Sequence, residues 1–99
     1  MKIFLGDLNK AFESRVRLGV MSILLVADAV DFATLKERLQ ITDGNLASHL
    51  SALEKLNYIS VSKQFIGKKP NTSYSATTAG KKAFSEHIDA LERLIKQRN

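Results

Sequence analysis

Cysteine is absent from the sequence. Its absence excludes a disulfide-stabilised scaffold and any metal site built on thiolates, and it agrees with a reducing cytoplasm, where we expect the protein to act. Long apolar runs are also missing, because the longest, Val20–Val30, contains Ser22 and Asp28 and is too short to span a bilayer. The N-terminal sequence lacks the apolar core of a signal peptide. We therefore expect no membrane association.

Catalytic signatures are likewise missing. The sequence has no glycine-rich phosphate loop and no local Ser, His and Asp pattern of a known kind. Its two histidines, His49 and His87, are far apart and lack ligand-spaced partners. We expect no enzyme activity, no metal and no cofactor. The length of 99 residues fits a single domain, 1–99.

Acidic residues are scarce in one part of the chain. Overall, 15 Lys and Arg against 10 Asp and Glu give a net charge of +5. The segment from Tyr58 to Lys82 contains no acid, and its basic residues are Lys63, Lys68, Lys69, Lys81 and Lys82. The sole proline, Pro70, lies in the turn sequence IGKKPNTS within that segment. The positive charge is therefore concentrated in the C-terminal part, where a polyanion is a suitable partner.

The first half of the chain has helical periodicity. A short helix is predicted from about Asp7, followed by an apolar and therefore buried helix, Arg15–Ala27, capped by Ser14. Thr34 and Glu37 have the spacing of a capping box and predict a short helix over residues 35–39.

A third helix is predicted from Thr42 to Leu56, with Asn57 as a left-handed cap. The period then changes to two, which predicts two strands, Ile59–Phe65 and Thr72–Ala76, joined by a turn at residues 67–71. A threonine at 77 or 78 caps a last helix over residues 79–96. The predicted order is helix, helix, helix, hairpin, helix.

The Thr42–Leu56 helix has two contrasting faces. Leu46, Leu50 and Leu53 form an apolar face. The opposite face carries short, uncharged or basic residues: Gly44, Asn45, Ser48, Ser51, Ala52 and Lys55. Exposed helix faces are usually rich in Glu and Lys, so this composition favours close approach of a partner, and the DNA major groove admits such a helix. Packing on another protein, or a plain polar surface, is the alternative.

The predicted hairpin supports the DNA hypothesis. Its tip places Lys68 and Lys69 beside the third helix, where two ammonium groups would lie over a sugar-phosphate backbone. Taken alone, lysines in a turn indicate only a solvated loop. The two features together favour duplex DNA. The tip has no arginine, so we expect loose phosphate contact rather than tight insertion into the minor groove.

The last helix carries apolar residues spaced by four, three and four, which is the spacing of a seam between helices. These residues are Phe84, Ile88, Leu91 and Ile95. The helix either folds back on its own domain or packs against a second copy. We favour the second copy, with Leu5, Leu8 and Phe12 contributing. His87 is then expected at the interface, and His49 is expected to pack against the hairpin, with direct DNA contact as the less favoured alternative.

The chain resembles the winged-helix domain of prokaryotic transcriptional regulators of the MarR/ArsR type, and especially the small stand-alone winged-helix DNA-binding proteins. The segments LKERLQITDGNLASHLSALEKLNYI and TTAGKKAF carry the resemblance, which extends from Ser14 to about Phe84. It implies a mainly α fold with a β-hairpin wing, with a winged-helix core at residues 14–77. The flanking residues 1–13 and 78–97 are then expected at a dimer interface.

By this resemblance, Thr42–Leu56 is the recognition helix and Ile59–Ala76 the wing. Thr42, Asn45 and Ser48 are implied to face bases or nearby phosphates, and Lys68 and Lys69 the backbone. Our hypothesis is a homodimeric transcriptional regulator, foremost a repressor, that binds an inverted repeat in double-stranded DNA. The alternative is a winged-helix module that binds proteins without direct DNA reading. The candidate DNA-binding residues are Thr42, Gly44, Asn45, Ser48, Ser51, Lys55, Lys68 and Lys69.

Overall fold

A computed structural model describes residues 5–96. A single 3₁₀ turn, Lys10–Phe12, precedes all other elements, where the sequence had predicted a short helix from Asp7. The other elements, in chain order, are α1 (Arg15–Val26), β1 (Val30–Asp31), α2 (Phe32–Leu39), α3 (Asp43–Lys55), β2 (Ile59–Ile66), β3 (Lys69–Ala76) and α4 (Thr78–Lys96). This arrangement confirms the predicted α+β winged-helix fold.

Side-chain caps fix the starts of the helices. Ser14 caps α1 by accepting from the amide of Arg17, as predicted. The predicted Thr34 cap of α2 is wrong, because Asp31 accepts from the Thr34 amide at 2.8 Å and the helix begins earlier, at Phe32. Aspartate is at least as good a helix cap as threonine, and pairing of β1 holds Asp31 in the extended conformation that a cap needs.

A tight turn joins α2 to α3. Gln40 adopts a left-handed conformation with φ of 53° and ends α2. Thr42 then caps α3 by accepting from the amide of Asn45. Asn57, with φ of 62°, is left-handed as predicted and redirects the chain into β2. The two non-glycine residues with positive φ within residues 5–96 therefore end α2 and α3, and both lie in connections.

The sheet is antiparallel with the strand order β1-β3-β2. Its hairpin forms the wing, and Ile66 pairs with Lys69 across a two-residue turn. Gly67 has φ of 66°, and a positive φ at the first central residue alone is typical of a type II′ turn. The short strand β1 pairs with Ser73 and Tyr74 of β3, and the sequence analysis did not predict it.

One hydrophobic core lies between α1, α2, α3, the base of the sheet and α4. Its fully buried side chains are Phe12, Val20, Met21, Leu24, Leu35, Leu46, Leu53 and Ile59. Phe12 lies at one end of this core, stacked on Tyr58 and edge-on to Phe84. The 3₁₀ turn therefore closes the core against α4. Within residues 5–96, no helix combines the length and apolar composition needed to cross a bilayer.

Backbone contact joins the start of α4 to the connection between α3 and β2. Thr77 caps α4, since its hydroxyl accepts from the amide of Gly80 at 2.9 Å. A Cβ atom at position 80 would overlap the carbonyl oxygen of Tyr58. Gly80 is therefore required for close approach of helix to backbone, which explains the glycine in the TTAGKKAF segment.

Candidate nucleic-acid interface

Burial of one leucine face sets the rotation of α3. Leu46, Leu50 and Leu53 are buried in the core. The opposite face points to solvent and is centred on Ser48. Its exposed members are Gly44, Asn45, Ser48, Ser51 and Lys55, all of which the helical spacing had placed there, and Ala52 is half-buried. Thr42, which only the resemblance had assigned to the site, is exposed at the N-cap of α3. We call this surface the α3 face.

One of the two acids of α3 is paired with a base. Asp43 lies in the first turn of α3, where a carboxylate suits the helix dipole. Its Oδ1 atom lies 2.8 Å from Nζ of Lys36 in α2. An exposed pair of this kind adds little stability, but it offsets the negative charge at the end of α3. A polyanion approaching the α3 face therefore meets a weaker repulsion there.

Arg17 and His49 define one flank of α3. Nε of Arg17 donates to the carbonyl oxygen of Ala11 at 2.6 Å, and Nη1 lies 2.9 Å from Nδ1 of His49. The prediction that His49 packs against the wing is wrong, because its ring lies against α1, about 100° around the helix from Ser48. Burial, and then the charge of Arg17, lower the pKa of His49.

A groove of about 300 Å³ lies along the other flank, between α3 and the wing. Its lining residues are Ala47, Leu50, Ser51, Glu54, Val61, Lys63, Thr72 and Tyr74. Burial, and then the charge of Glu54, raise the pKa of the Tyr74 hydroxyl. Lys63 supplies a cation to this groove, and the sequence analysis had counted its charge without assigning it a site.

The two lysines at the wing tip are exposed. Lys68 occupies the second position of the turn, and Lys69 begins β3. By strand alternation, Lys69 lies on the face of the hairpin opposite to the one that lines the groove. Lys69 therefore points away from the groove, and Lys68, in the turn, belongs to neither face of the hairpin.

A second groove, of about 520 Å³, adjoins the start of α3. Arg15 of α1 and Asn45 of α3 both line it. No site role for Arg15 was predicted from the sequence. The helix dipole disfavours a cation in the first turn of a helix. The position of Arg15 in the sequence therefore already indicated that its charge has a partner outside α1. Arg15 and Lys63 thus bracket the α3 face with positive charge.

Two residues predicted at a dimer interface lie inside the protomer instead. Phe12 is 2% exposed and Phe84 is 3% exposed, with ring centroids 5.1 Å apart. They pack on one another because the 3₁₀ turn folds over α4. His87 is also internal, since its Nδ1 accepts from the amide of Asn9 at 2.9 Å, so its predicted interface position is wrong.

The other predicted interface residues remain at least partly accessible. Ile95 is 79% exposed and Ile88 is 39% exposed on α4. Leu91 lies between them and is half-buried, as is Leu8 in the N-terminal segment. The apolar surface of α4 is therefore wider than its own domain covers. Ile88, Leu91 and Ile95, which we call the α4 strip, continue the buried face toward solvent.

Comparisons with known proteins agree with this architecture. The chain is 34% identical over 87 residues to an uncharacterized protein of Methanocaldococcus jannaschii, covering 88% of this chain and 95% of that one. The structure resembles the transcriptional regulator homologue protein from Pyrococcus horikoshii OT3, with a TM-score of 0.80, 29% identity and coverage of 86% and 84%. HlyU from Vibrio cholerae shares the fold, with a TM-score of 0.62, 24% identity and coverage of 89% and 87%.

A family model described as a winged helix DNA-binding domain matches residues 16–95. That range begins in α1 and ends in α4, so it contains the helix-turn-helix, the wing and the α4 strip. The elements that build the α3 face and its two flanks are thus all part of the matched domain. The chain therefore belongs to the winged helix DNA-binding domain family.

Proposed function

We propose that the protein binds double-stranded DNA sequence-specifically as a homodimer and represses transcription in the cytoplasm. The observation that carries the proposal is the α3 face, which is exposed, short and uncharged around Ser48. A helix of about 10–12 Å diameter enters the major groove only when bulky side chains do not hold it away. Asn45 and Ser48 have side chains that hydrogen-bond to base edges.

Cations on both flanks suit the two strands that border a major groove. Arg15 lies beside the start of α3, Lys63 lies in the groove on the wing side, and Lys68 lies at the tip of the wing. Lys55 extends the same surface at the end of α3. Phosphate contacts from these side chains would position the helix, and base contacts from the α3 face would select the sequence. Thr42 is available for a backbone contact at the helix start.

A salt titration tests the electrostatic part of the proposal. About four phosphate contacts per protomer, each contributing about −0.9, give a dimer a slope of roughly −7 in log K against log salt. The measurement is fluorescence anisotropy of a labelled 30-base-pair duplex at several potassium chloride concentrations. A salt slope near zero would contradict the electrostatic part of the proposal. Capture of partner proteins in a pull-down, without retention of the protein on immobilised duplex, would favour the protein-interaction alternative.

The homodimer is proposed through the α4 strip. Ile88 and Ile95 are exposed apolar side chains on one side of a 19-residue helix, and Leu91 joins them. Burying such a strip against its symmetry copy removes apolar area from water and gives two recognition helices. A separation of about 34 Å would place both in successive major grooves of an inverted repeat.

A pair of double variants tests the dimer. Ile88→Asp with Ile95→Asp is expected to shift the mass measured by light scattering from dimer to monomer. Phe65→Asp with Ile66→Asp is the matched control, because it removes two exposed apolar side chains from the wing and adds the same charge. A dimeric mass for the α4 variant would contradict the proposed interface, and a monomeric wild type would contradict the dimer itself.

A further inference from the structure

The turn at residues 9–12 is hydrogen-bonded to two helices that follow it in the chain. The amide of Asn9 donates to Nδ1 of His87 in α4 at 2.9 Å. The carbonyl oxygen of Ala11 accepts from Nε of Arg17 in α1 at 2.6 Å. We call residues 9–12 the N-terminal latch, because these two bonds hold the turn closed over the end of the core.

Both histidines of the chain hold the N-terminal latch in place. Nδ1 of His87 binds the Asn9 amide directly. His49 in α3 acts through Arg17, whose Nη1 atom lies 2.9 Å from Nδ1 of the ring. A backbone amide and a guanidinium only donate, so Nδ1 of each ring accepts. Two unprotonated ring nitrogens, one on α4 and one on α3, therefore maintain the closed latch.

Protonation of either ring is incompatible with these contacts. A protonated imidazole carries a hydrogen on both nitrogens and accepts no hydrogen bond. At His87, the new hydrogen would point at the hydrogen of the Asn9 amide, and the ring is only 3% exposed, so water does not replace the lost partner. At His49, the new charge would face the guanidinium of Arg17. Each ring therefore accepts its proton without conflict only after the latch has moved away.

The surroundings of His87 favour the neutral ring. Burial lowers its pKa, and the carboxylate of Glu13, next to the latch, opposes this effect without cancelling it. The Tyr58 phenol, 3.2 Å from the side-chain nitrogen of Asn9, stays neutral in mild acid. The residues one helical turn away on α4 do not titrate, and they are Ala83, Phe84, Ala90 and Leu91.

The surroundings of His49 favour its neutral form as well. Burial, and then the charge of Arg17, lower its pKa. The one titratable residue of the latch is Lys10, a cation, which does not favour a further positive charge. The residues one turn away on α3 do not titrate, and they are Asn45, Leu46, Ala52 and Leu53. Within residues 5–96, neither histidine forms an ion pair with a carboxylate.

The latch is separable from the rest of the domain. Of the fully buried side chains in the described part of the chain, only Phe12 belongs to it. Asp7, just before the latch, binds Arg93 at 3.1 Å, and Arg93 is about 160° around α4 from Ile95 of the α4 strip. Detachment of the latch therefore leaves the core between α1, α2 and α3 in place, and it leaves the proposed dimer surface unchanged.

We propose that the N-terminal latch is a proton-released switch, in which protonation of His87 and His49 detaches residues 9–12 from α4 and α1 while the winged helix stays folded. Detachment carries Phe12 into solvent and uncovers Phe84, its edge-on partner. Mild acid therefore exposes aromatic surface beside α4. The inference goes beyond DNA binding and does not depend on it.

Proton linkage sets the size of the expected effect. A ring that binds the latch only in its neutral form, and has a pKa of 6.5 when released, favours release about tenfold at pH 5.5. Two such rings favour release about a hundredfold. The closed latch is therefore fully stable above pH 6.5, and its stability is lost as the pH falls below that value.

Amide hydrogen exchange measured by NMR tests the switch. The bond to His87 protects the Asn9 amide, whereas the Leu24 amide lies in the core helix α1 and exchanges only through larger openings. Protection factors, which correct each rate for the exchange of an unstructured chain at the same pH, are compared at pH 7.5 and 5.5. In the wild type, the factor for Asn9 is expected to fall about a hundredfold and to stay at least tenfold below that of Leu24.

Asparagine variants separate the contributions of the two rings. The side-chain oxygen of asparagine accepts a hydrogen bond as Nδ1 does, but the group does not titrate. In His87→Asn and in His49→Asn, the factor for Asn9 is expected to fall only about tenfold, and in the double variant by less than about twofold. Circular dichroism at pH 7.5 checks that each variant is folded. If His87→Asn does not fold, His49→Asn and the wild type decide the question.

Three outcomes would overturn the switch. A wild-type protection factor for Asn9 that is the same at pH 7.5 and 5.5 would show that protonation does not open the latch. Equal factors for Asn9 and Leu24 at pH 5.5 would show that the whole domain unfolds together. A hundredfold decrease that persists in His49→Asn would show that this ring does not hold the latch through Arg17.

Discussion

Nη1 of Arg17 lies 2.9 Å from Nδ1 of His49 and connects the central helix α1 to α3. A guanidinium only donates, so Nδ1 of His49 accepts and the neutral ring carries its proton on Nε2. Arg17 also donates from Nε to the carbonyl oxygen of Ala11. One side chain therefore ties the 3₁₀ turn, α1 and α3 together, which holds α3 in a fixed orientation.

Arg17→Met tests this connection. The variant loses two hydrogen bonds from a charged donor, and we expect a decrease of about 2 kcal/mol in the free energy of unfolding. Urea denaturation followed by circular dichroism measures it. Arg15→Met is the control, since Arg15 is exposed and its replacement should change stability by less than about 0.5 kcal/mol. The account is wrong about Arg17 if both variants unfold at the same urea concentration.

Substitutions of the same two arginines are expected to differ in their effect on the salt dependence of DNA binding. Arg15→Met should make the salt slope less steep by about 2 for a dimer, one contact per protomer. Arg17→Met should leave the slope unchanged, because its guanidinium is occupied within the protomer. Anisotropy titrations at four salt concentrations distinguish the two. An unchanged slope for Arg15→Met would remove Arg15 from the interface.

The pH dependence of stability follows from the two histidines. Burial is the main reason that the pKa values of His49 and His87 are lowered, so the folded protein disfavours the protonated form of both side chains. The unfolded chain then binds more protons, and stability is complete above the unfolded pKa of 6.5 and is lost as the pH falls below it. Thermal unfolding between pH 7.5 and 5.5 should show this loss.

A double variant isolates the histidine contribution. His49→Asn with His87→Asn removes both titrating groups, and the decrease in Tm between pH 7.5 and 5.5 should be smaller than in the wild type. Proton NMR of the two rings gives an independent check, because both should titrate below 6.5. A larger pH dependence in the variant, or ring pKa values above 6.5, would contradict the assigned contacts.

Two glycines allow a matched test of helix packing. Gly80→Ala should decrease the free energy of unfolding by about 2–3 kcal/mol, because the new methyl group meets the backbone of Tyr58. Gly44→Ala meets no atom within 4 Å, so helix propensity should stabilise it by about 0.5 kcal/mol. The two substitutions are chemically identical and opposite in expected sign. Equal effects would mean that α4 does not approach Tyr58 closely.

The wing lysines test the register of the hairpin. Lys68→Ala should weaken binding to all duplex sequences alike and make the salt slope less steep by about 2. Lys69→Ala should have the smaller effect, because its side chain lies on the face away from α3. Altered sequence selectivity in either variant would contradict a purely phosphate role.

Local sequence patterns were sufficient for most of the fold. Ser14, Thr42 and Asn57 act where their types predicted, because caps depend on neighbours two or three residues away. Alternation located both wing strands to within a few residues. Strand β1 and the Asp31 cap were missed because a strand of two residues is too short to show an alternating pattern. The conformation of these residues depends on pairing with a strand more than 40 residues later in the chain.

The candidate site was predicted unevenly for a related reason. The exposure of the α3 face follows from helical spacing, with Ala52 half-buried as the one departure. The position of Phe12 was wrong, because the return of the N-terminal segment onto Phe84 depends on tertiary contacts such as the hydrogen bond from Asn9 to His87. His49 was assigned to the wrong flank for lack of information about Arg17. The periodicity of a sequence gives no information about which distant residues its polar side chains contact.

The central claim is that α3 enters the major groove. The most direct test is the binding of Ser48→Glu to a duplex that the wild type selects from a random-sequence pool. Ser48 is the centre of the α3 face, and a carboxylate there would face base edges and phosphates without changing the fold. Ser85→Glu, on an exposed position of α4, is the matched control. We expect Ser48→Glu to lose specific binding by about a hundredfold or more at unchanged helicity, while Ser85→Glu binds like the wild type. Wild-type affinity in Ser48→Glu would show that α3 does not enter the groove.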